Sequence, residues 1–112
     1  MDTDGLGALG LLGDPTRRAI VELLARHPRS VGELAGELPI SRPAVSQHLR
    51  ALKDGGLVVD RAAGTRRVYR LDPAGLAAVR AYLDRLWNES LTAFQQAAEA
   101  APTDDETDRS LE

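Results

Sequence analysis

The sequence predicts a mostly helical protein with one small β-ribbon, an α+β fold. Several segments carry apolar residues at helical spacing, begin at a capping residue and end at glycine or proline. Two short segments, Leu57 to Arg61 and Arg66 to Leu71, have the composition of strands and are joined by Ala62-Ala63-Gly64-Thr65. Residues 30–71 therefore contain helix, tight turn, helix and ribbon, which is the order of a winged helix-turn-helix.

The first two helices are predicted before residue 27. Residues 6–13 are apolar but broken by glycines, so we expect a short, loose helix that needs a partner surface. Asp14 followed by Pro15 is an N-cap with proline at the first helical position, and the second helix runs to about Arg26. Its predicted buried residues are Ile20, Leu23 and Leu24.

The helix-turn-helix unit follows. Ser30 and Glu33 have the spacing of a capping box, which begins a short helix. Its predicted buried residues are Val31, Leu34 and Leu38. Ser41 caps the next helix, which runs to about Asp54 and ends at Gly55-Gly56.

Asp72-Pro73 repeats the cap-and-proline signal and begins a long last helix that runs to about Ala100. The last residues are acidic and lack an apolar face, so they are predicted to be disordered. The predicted parts are a loose N-terminal helix (1–13), a winged helix-turn-helix core (14–72), a dimerisation helix (73–100) and an acidic tail (101–112).

The helix of residues 41–54 has the composition of a DNA-recognition helix. At about 100° per residue, Val45, Leu49 and Leu52 share one face, and Gln47 and Arg50 lie opposite. Glutamine can pair with adenine, arginine with guanine and serine with either. Its candidate DNA contacts are Ser41, Arg42, Pro43, Ser46, Gln47, His48 and Arg50. Two alternatives stay open, because Ser41 is fully explained as an N-cap and a histidine beside an apolar stripe is often a packed core residue.

The ribbon adds Arg61, Arg66, Arg67 and Arg70. We expect Arg61, Arg66 and Arg67 to contact phosphates or a neighbouring minor groove. The alternative is that arginines at the tip of a ribbon are only solvated.

Charge is distributed unevenly along the chain. The net charge is −3, yet residues 14–71 hold 11 basic and six acidic side chains, whereas both ends are acidic. Because charges are screened beyond about 8 Å at physiological salt, the local excess of base governs phosphate binding. The chain has no cysteine, which excludes disulfides and thiolate metal sites.

The residues give little support to a membrane protein, a secreted protein or an enzyme. No apolar run reaches the roughly 20 residues that span a bilayer, and the N-terminus lacks the positive start of a secretory signal. We therefore expect a soluble cytoplasmic protein. No glycine loop that cradles phosphate and no carboxylate pair is evident, so we predict that the chain is not an enzyme and has no cofactor.

Three motifs resemble the ArsR/SmtB-type winged-helix repressors. They are the run DPTRRAIVELL at residues 14–24, Ser41-x4-Ser46-x-His48-Leu49-x2-Leu52-x4-Leu57-Val58, and Arg61-x2-Gly64-x4-Tyr69-x-Leu71. The resemblance covers roughly residues 8–90. It implies a homodimeric bacterial transcription factor, usually a repressor, that pairs through its first and last helices and is released from DNA by an effector.

Metal sensors of that type carry cysteines in the helix before the turn, or Asp/His and His/Glu pairs on the last helix. Here residues 31–38 hold no cysteine and the last helix holds no histidine. The resemblance therefore implies a metal-independent member whose inducer is unknown.

The last helix carries a broad apolar stripe, which we expect to pair with the same helix of a second chain. The predicted interface residues are Leu6, Leu9, Leu76, Val79, Leu83, Leu86, Trp87 and Phe94. The alternative is that part of the stripe packs within its own chain.

The predicted partners are double-stranded DNA with a palindromic operator, a second copy of the chain and an effector of unknown chemistry, with no membrane. Two other functions remain open. One is a regulator gated by a small apolar ligand at the dimer interface, where Tyr82, Trp87 and Phe94 would line the pocket. The other is a winged helix that binds protein, for which affinity would depend weakly on salt.

Overall fold

The computed structural model describes residues 5–100 and has the predicted mostly helical fold with a small antiparallel sheet. The elements in this range are α1 Gly5–Leu11, α2 Pro15–Arg26, β1 Arg29–Ser30, α3 Val31–Glu37, α4 Arg42–Asp54, β2 Val58–Ala63, β3 Arg66–Leu71 and α5 Pro73–Ala100. The chain divides within α5, with one compact unit up to Tyr82 and a second from Leu83 onward. The predicted disorder of the tail at 101–112 lies outside the described residues.

The sheet differs from the predicted two-stranded ribbon. Its strand order is β1-β3-β2, and the two-residue strand β1 was not predicted, because a segment so short has no measurable periodicity. The predicted loop was also too long. Ala62 and Ala63 pair with Arg67 and Arg66, so only Gly64 and Thr65 form the turn.

The turn between β2 and β3 begins at Gly64, whose φ of +66° is a conformation that favours glycine. At the other end of the ribbon, Leu57 was predicted to begin the first strand. Its N–H instead donates to the Leu52 carbonyl at 2.9 Å, so Leu57 belongs to the turn that ends α4. The first helix likewise ends at Leu11, two residues before the predicted position.

The predicted helix caps are present. The Asp14 carboxylate accepts from the N–H groups of Thr16 and Arg17 at 2.8 and 3.1 Å. Ser30 and Glu33 form the reciprocal capping box, with bonds of 3.2 and 2.8 Å. Because backbone N–H groups donate to these carboxylates, the pKa of Asp14 and that of Glu33 both lie below their ordinary values.

One buried apolar cluster holds α1, α2, α3, α4 and β2 together. Its members are Ala8, Ile20, Leu24, Leu34, Val45, Leu49, Leu52, Leu57 and Val58. Burying one large aliphatic side chain contributes about 1.5–3 kcal/mol, so this cluster is the main source of stability in the first unit. The cluster fixes the direction of α4, because three of its members lie on that helix.

A buried arginine joins the ends of α2 and α3. Arg29 is 5% exposed, and its guanidinium donates to the carbonyls of Leu23 and His27 and to the Glu37 carboxylate, the last at 2.9 Å. Arg29 was not predicted from the sequence to have a structural role. Its bond to the Leu23 carbonyl adds to the one that the His27 N–H donates to the same carbonyl at 3.4 Å, which closes the C-terminal end of α2.

The start of α5 packs directly on the turn that ends α4. Gly75 is buried, and a Cβ built on it would overlap the Gly56 carbonyl oxygen and crowd the Leu57 Cα. The Asp72 N–H donates to the Leu57 carbonyl at 2.9 Å, which fixes the same contact. Two backbones therefore touch here without a side chain between them.

We expect Gly75→Ala to destabilise the protein by about 1–3 kcal/mol, the usual cost of overpacking. Gly36→Ala in α3 is the matched control. A Cβ there meets nothing within 4 Å, so the better helix former should leave stability unchanged or raise it by up to about 1 kcal/mol. Urea unfolding followed by far-UV circular dichroism measures both. Equal unfolding midpoints for the two variants would contradict the close contact.

The Asp14 cap predicts a pH dependence of stability. Its folded pKa lies below the ordinary 3.8, so its contribution is complete above that pH and is lost as the pH falls through the folded value. Asp14→Asn keeps a capping acceptor without a titrating group. Thermal midpoints of the two proteins should be similar near neutral pH, and that of the wild type should fall further below about pH 4. Parallel curves would argue against the cap as an acid-sensitive element.

Candidate nucleic-acid interface

The two faces of α4 differ as the sequence predicted. Val45, Leu49 and Leu52 are fully buried, whereas Gln47 and Arg50 on the opposite side are exposed. The other exposed candidates on or just before this helix are Ser41, Arg42, Pro43 and Ser46. One continuous polar face is therefore available to a ligand.

The N-terminus of α4 favours an anion. Its first turn holds no acidic side chain, and Ser41 Oγ accepts from the Ala44 N–H at 3.3 Å. Helix N-termini carry a partial positive charge, to which Arg42 adds a full one. Ser41 has the structural role that its N-cap position predicts, and a phosphate contact would be additional.

His48 is half-buried and lies against α2. The Arg17 Nε–H donates to His48 Nδ1 at 3.3 Å, a contact that the sequence analysis did not foresee. The pKa of Asp14 is lowered mainly by the hydrogen bond from the Arg17 N–H and further by that from the Thr16 N–H and by the positive charge of the Arg17 guanidinium.

The arginines of the wing, here β2, β3 and their turn, are exposed, but they are not equivalent. Arg61 and Arg66 point to solvent. Arg67 instead donates from Nε to Asp60 Oδ2 at 2.8 Å while its side chain stays 57% exposed. Arg67 thus belongs to an ion-pair network as well as to the surface of the wing.

Asp60 is the centre of this network. Its second oxygen, Oδ1, lies 2.8 Å from Lys53 Nζ at the C-terminal end of α4. The Asp60 side chain is 6% exposed, against 52% for Lys53 and 57% for Arg67. The hydrogen bond from Lys53, helped by that from Arg67, lowers the pKa of Asp60 despite its desolvation. The carboxylate therefore joins α4 to the wing.

The role of Asp60 was not predicted, although its position in the strand pattern indicates it. Side chains alternate along a strand, so Asp60 shares a face with Val58, which is buried. An acid at an inward-facing strand position requires a cationic partner. Arg67 lies diagonally across the ladder, since Asp60 pairs with Tyr69 and Arg67 is two residues away on the same face.

Two clefts border the wing. One, of about 490 Å³, separates the wing from the N-terminal ends of α3 and α4, and Glu33, Arg42 and Arg66 are among its lining residues. The other, of about 570 Å³, lies between α4 and the wing and contains Lys53 and Asp60. Both clefts present basic side chains to solvent.

The residues predicted to form a dimer interface differ in exposure. In the first unit, Leu6 and Leu76 are exposed, Leu9 is half-buried, and Val79 packs against the core. The second unit is a helical segment with four exposed members of the set. They are Leu83, Leu86, Trp87 and Phe94. The apolar side chain of Val79 is therefore explained by packing within its own chain.

Within residues 5–100, no group of three or more His, Cys, Asp or Glu side chains is placed to hold a metal ion. None of the helices described is long and apolar enough to cross a bilayer.

Known proteins are similar to this chain in sequence and in fold. Residues 14–59 match the family described as bacterial regulatory protein, arsR family. The HTH-type transcriptional regulator Rv2034 of Mycobacterium tuberculosis is 61% identical over 93 residues, which is 83% of this chain and 87% of that protein.

Solved structures give the same result. An ArsR-like transcriptional regulator from Rhodococcus sp. RHA1 is 35% identical, with a TM-score of 0.71 over 87% of this chain and 94% of that one. The homodimeric winged helix-turn-helix DNA-binding domain of Mb0332 from Mycobacterium bovis is 32% identical. Its TM-score is 0.61 over 75% of this chain and 78% of that one.

These likenesses agree with the capped α4, its polar face and the arginine-bearing wing. The family consists of DNA-binding transcriptional regulators and not of enzymes. The chain belongs to the ArsR family of winged helix-turn-helix transcriptional regulators.

Proposed function

We propose that the protein is a transcriptional repressor that binds an inverted-repeat operator as a homodimer. In this proposal α4 enters the major groove, and Arg61, Arg66 and Arg67 of the wing contact phosphates or the adjacent minor groove. The observation that carries it is the exposed face of α4, where Ser46, Gln47 and Arg50 lie opposite a fully buried stripe.

The exposed apolar residues of α5 support the homodimer. A helix that exposes Trp87 at 64% and Phe94 at 70% has a large apolar surface to remove from water. The M. bovis domain with this fold is homodimeric. A two-fold axis would set two recognition helices about 34–36 Å apart, which is one turn of the duplex.

The composition supports a regulator that does not sense metal. Soft metals are held in proteins mainly by thiolate and imidazole ligands. The chain has no cysteine, and of its two histidines His27 is the C-cap of α2 whereas His48 lies on α4. We expect DNA affinity to be the same in the presence of zinc and of a chelator.

A cytoplasmic location follows from the proposal, because the operator lies on the chromosome.

Selection from a random duplex library with the full-length protein tests the proposal. Enrichment of an inverted repeat would support it, as would a gel shift in which one half-site binds far more weakly than the whole. Transcription from a promoter overlapping the enriched site should fall when the protein is added. Equal binding of every duplex, or binding that is independent of salt, would favour a protein-binding module instead.

Arg50→Ala should weaken binding to the enriched duplex by about tenfold or more, because a bidentate contact to guanine contributes about 1–3 kcal/mol. Gln47→Ala should relax the preference for one base pair. Arg26→Ala, at the exposed end of α2, removes the same charge away from the proposed interface and is the control. Fluorescence anisotropy measures all three. Equal losses for R50A and R26A would contradict base recognition by α4.

Trp87→Glu should shift the protein from dimer to monomer, because it places a charge within the apolar stripe of α5. DNA affinity should fall with it, since two half-sites would no longer be bound together. Gln96→Glu, on the opposite face of the same helix about two and a half turns further along, is the control and should leave the mass unchanged. Light scattering after size exclusion gives the mass. A dimeric W87E protein would exclude this face as the interface.

A further inference from the structure

The cleft between α4 and the wing lies where one DNA strand would pass. Adjacent major and minor grooves are separated by a single sugar–phosphate strand, so a helix in one groove and a wing in the other must straddle it. The residues lining this cleft are Ser46, Leu49, Arg50, Lys53, Asp54, Asp60, Arg67 and Tyr69. A buried carboxylate at this position would repel a phosphate if its charge were not neutralised.

Asp60 is neutralised by two cations, one from each side of the cleft. Lys53 Nζ and Arg67 Nε each lie 2.8 Å from a different oxygen of the carboxylate. The three groups together carry one net positive charge. Lys53 belongs to the recognition helix and Arg67 to β3, so Asp60 fixes the spacing of two cations on separate elements.

Both cations keep free donors. An ammonium group has three N–H donors and a guanidinium has five. Lys53 gives one to Asp60, and Arg67 gives its Nε–H, which leaves the terminal guanidinium nitrogens available. The side chains are 52% and 57% exposed, so these donors can reach a ligand in the cleft.

We propose that Asp60 is a positioning residue that presents Lys53 and Arg67 together to the DNA backbone phosphate between helix and wing, and so raises specificity. The inference rests on the proposed function, since it requires α4 and the wing to occupy adjacent grooves. Asp60 touches no base itself. It acts by holding two flexible cations in one geometry, which reduces the side-chain entropy lost on binding.

This arrangement lowers the affinity for non-specific duplexes. Free cations bind phosphate in any register, and each phosphate neutralised adds about 0.9 to the slope of log affinity against log salt. Asp60 removes one positive charge from the surface and restricts where the other two can bind. A duplex that seats α4 in the correct register gains both cations, whereas a mismatched duplex gains fewer.

Asp60→Asn tests the proposal in the full-length protein. The probes are the duplex enriched by selection and a scrambled duplex of the same length and composition. We expect the ratio of specific to non-specific affinity to fall by about tenfold, the effect of losing one charge-assisted hydrogen bond. Affinity for the scrambled duplex should hold or rise, with a salt slope steeper by about 1 as the freed cations bind phosphate.

Asp54→Asn is the matched control. It removes the same charge from the same cleft, so it should change affinity for both duplexes by a similar factor and leave their ratio intact. A purely structural role for Asp60 would lower both affinities in parallel and leave the salt slope unaltered. That outcome, or a D60N ratio equal to that of D54N, would overturn the inference.

A second measurement applies if D60N does not fold. In a double-mutant cycle, Lys53→Gln and Arg67→Gln should couple in their effect on specific affinity, because Asp60 joins the two side chains. Lys53→Gln and Arg66→Gln should be additive, although Arg66 is the neighbour of Arg67 in the same strand. Additivity in both cycles would overturn the inference.

The failure of the proposed function can be told apart from the failure of the inference. If the wild type prefers no duplex, both fail. If the wild type is selective and D60N has the same ratio of specific to non-specific affinity, the inference alone is refuted.

Discussion

The structure depends on the burial of one face of α4. Val45, Leu49 and Leu52 have no exposed surface, and they share a core with α2, α3 and β2. Because side chains on a helix repeat every 3.6 residues, burying this stripe forces Ser46, Gln47 and Arg50 outward. The same contacts that stabilise the domain therefore determine which side chains of α4 are exposed. A domain of this size needs no separate scaffold for this polar surface.

Electrostatics add a second constraint, because acidic residues have different effects at different sites. Asp14 and Glu33 stabilise helix N-termini, where backbone N–H groups donate to them. Asp60 instead lies between two cations and is almost wholly buried. The net charge does not reveal these local differences, since it is −3 for the whole chain while the central segment is basic. Local placement decides whether an acid caps a helix or pairs with cations of two elements.

The sequence was sufficient to predict the helices, their caps and the polar face of α4, because each depends on spacing within about 15 residues. Asp14, Ser30 and Ser41 lie directly before the residues whose N–H groups they satisfy. Strand β1 and the exact turn between β2 and β3 were not predictable, since pairing with a distant strand determines both. The Arg17–His48 contact escaped for the same reason, because its two residues lie 31 apart in the chain. Arg29 bonds to groups only two to eight residues away, but these lie on different elements, and local spacing does not show how those elements meet. The composition of α5 gave its apolar stripe but not the exposure of each member.

The contact between Gly75 and Gly56 has a mechanical consequence. Side chains between two helices can change rotamer and absorb a small displacement, but two touching backbones cannot. A tilt of the first turn of α5 must therefore displace the turn that ends α4 by a similar distance. The first turn of α5 and the C-terminal end of α4 are therefore coupled through the main chain itself, without any relay of side chains.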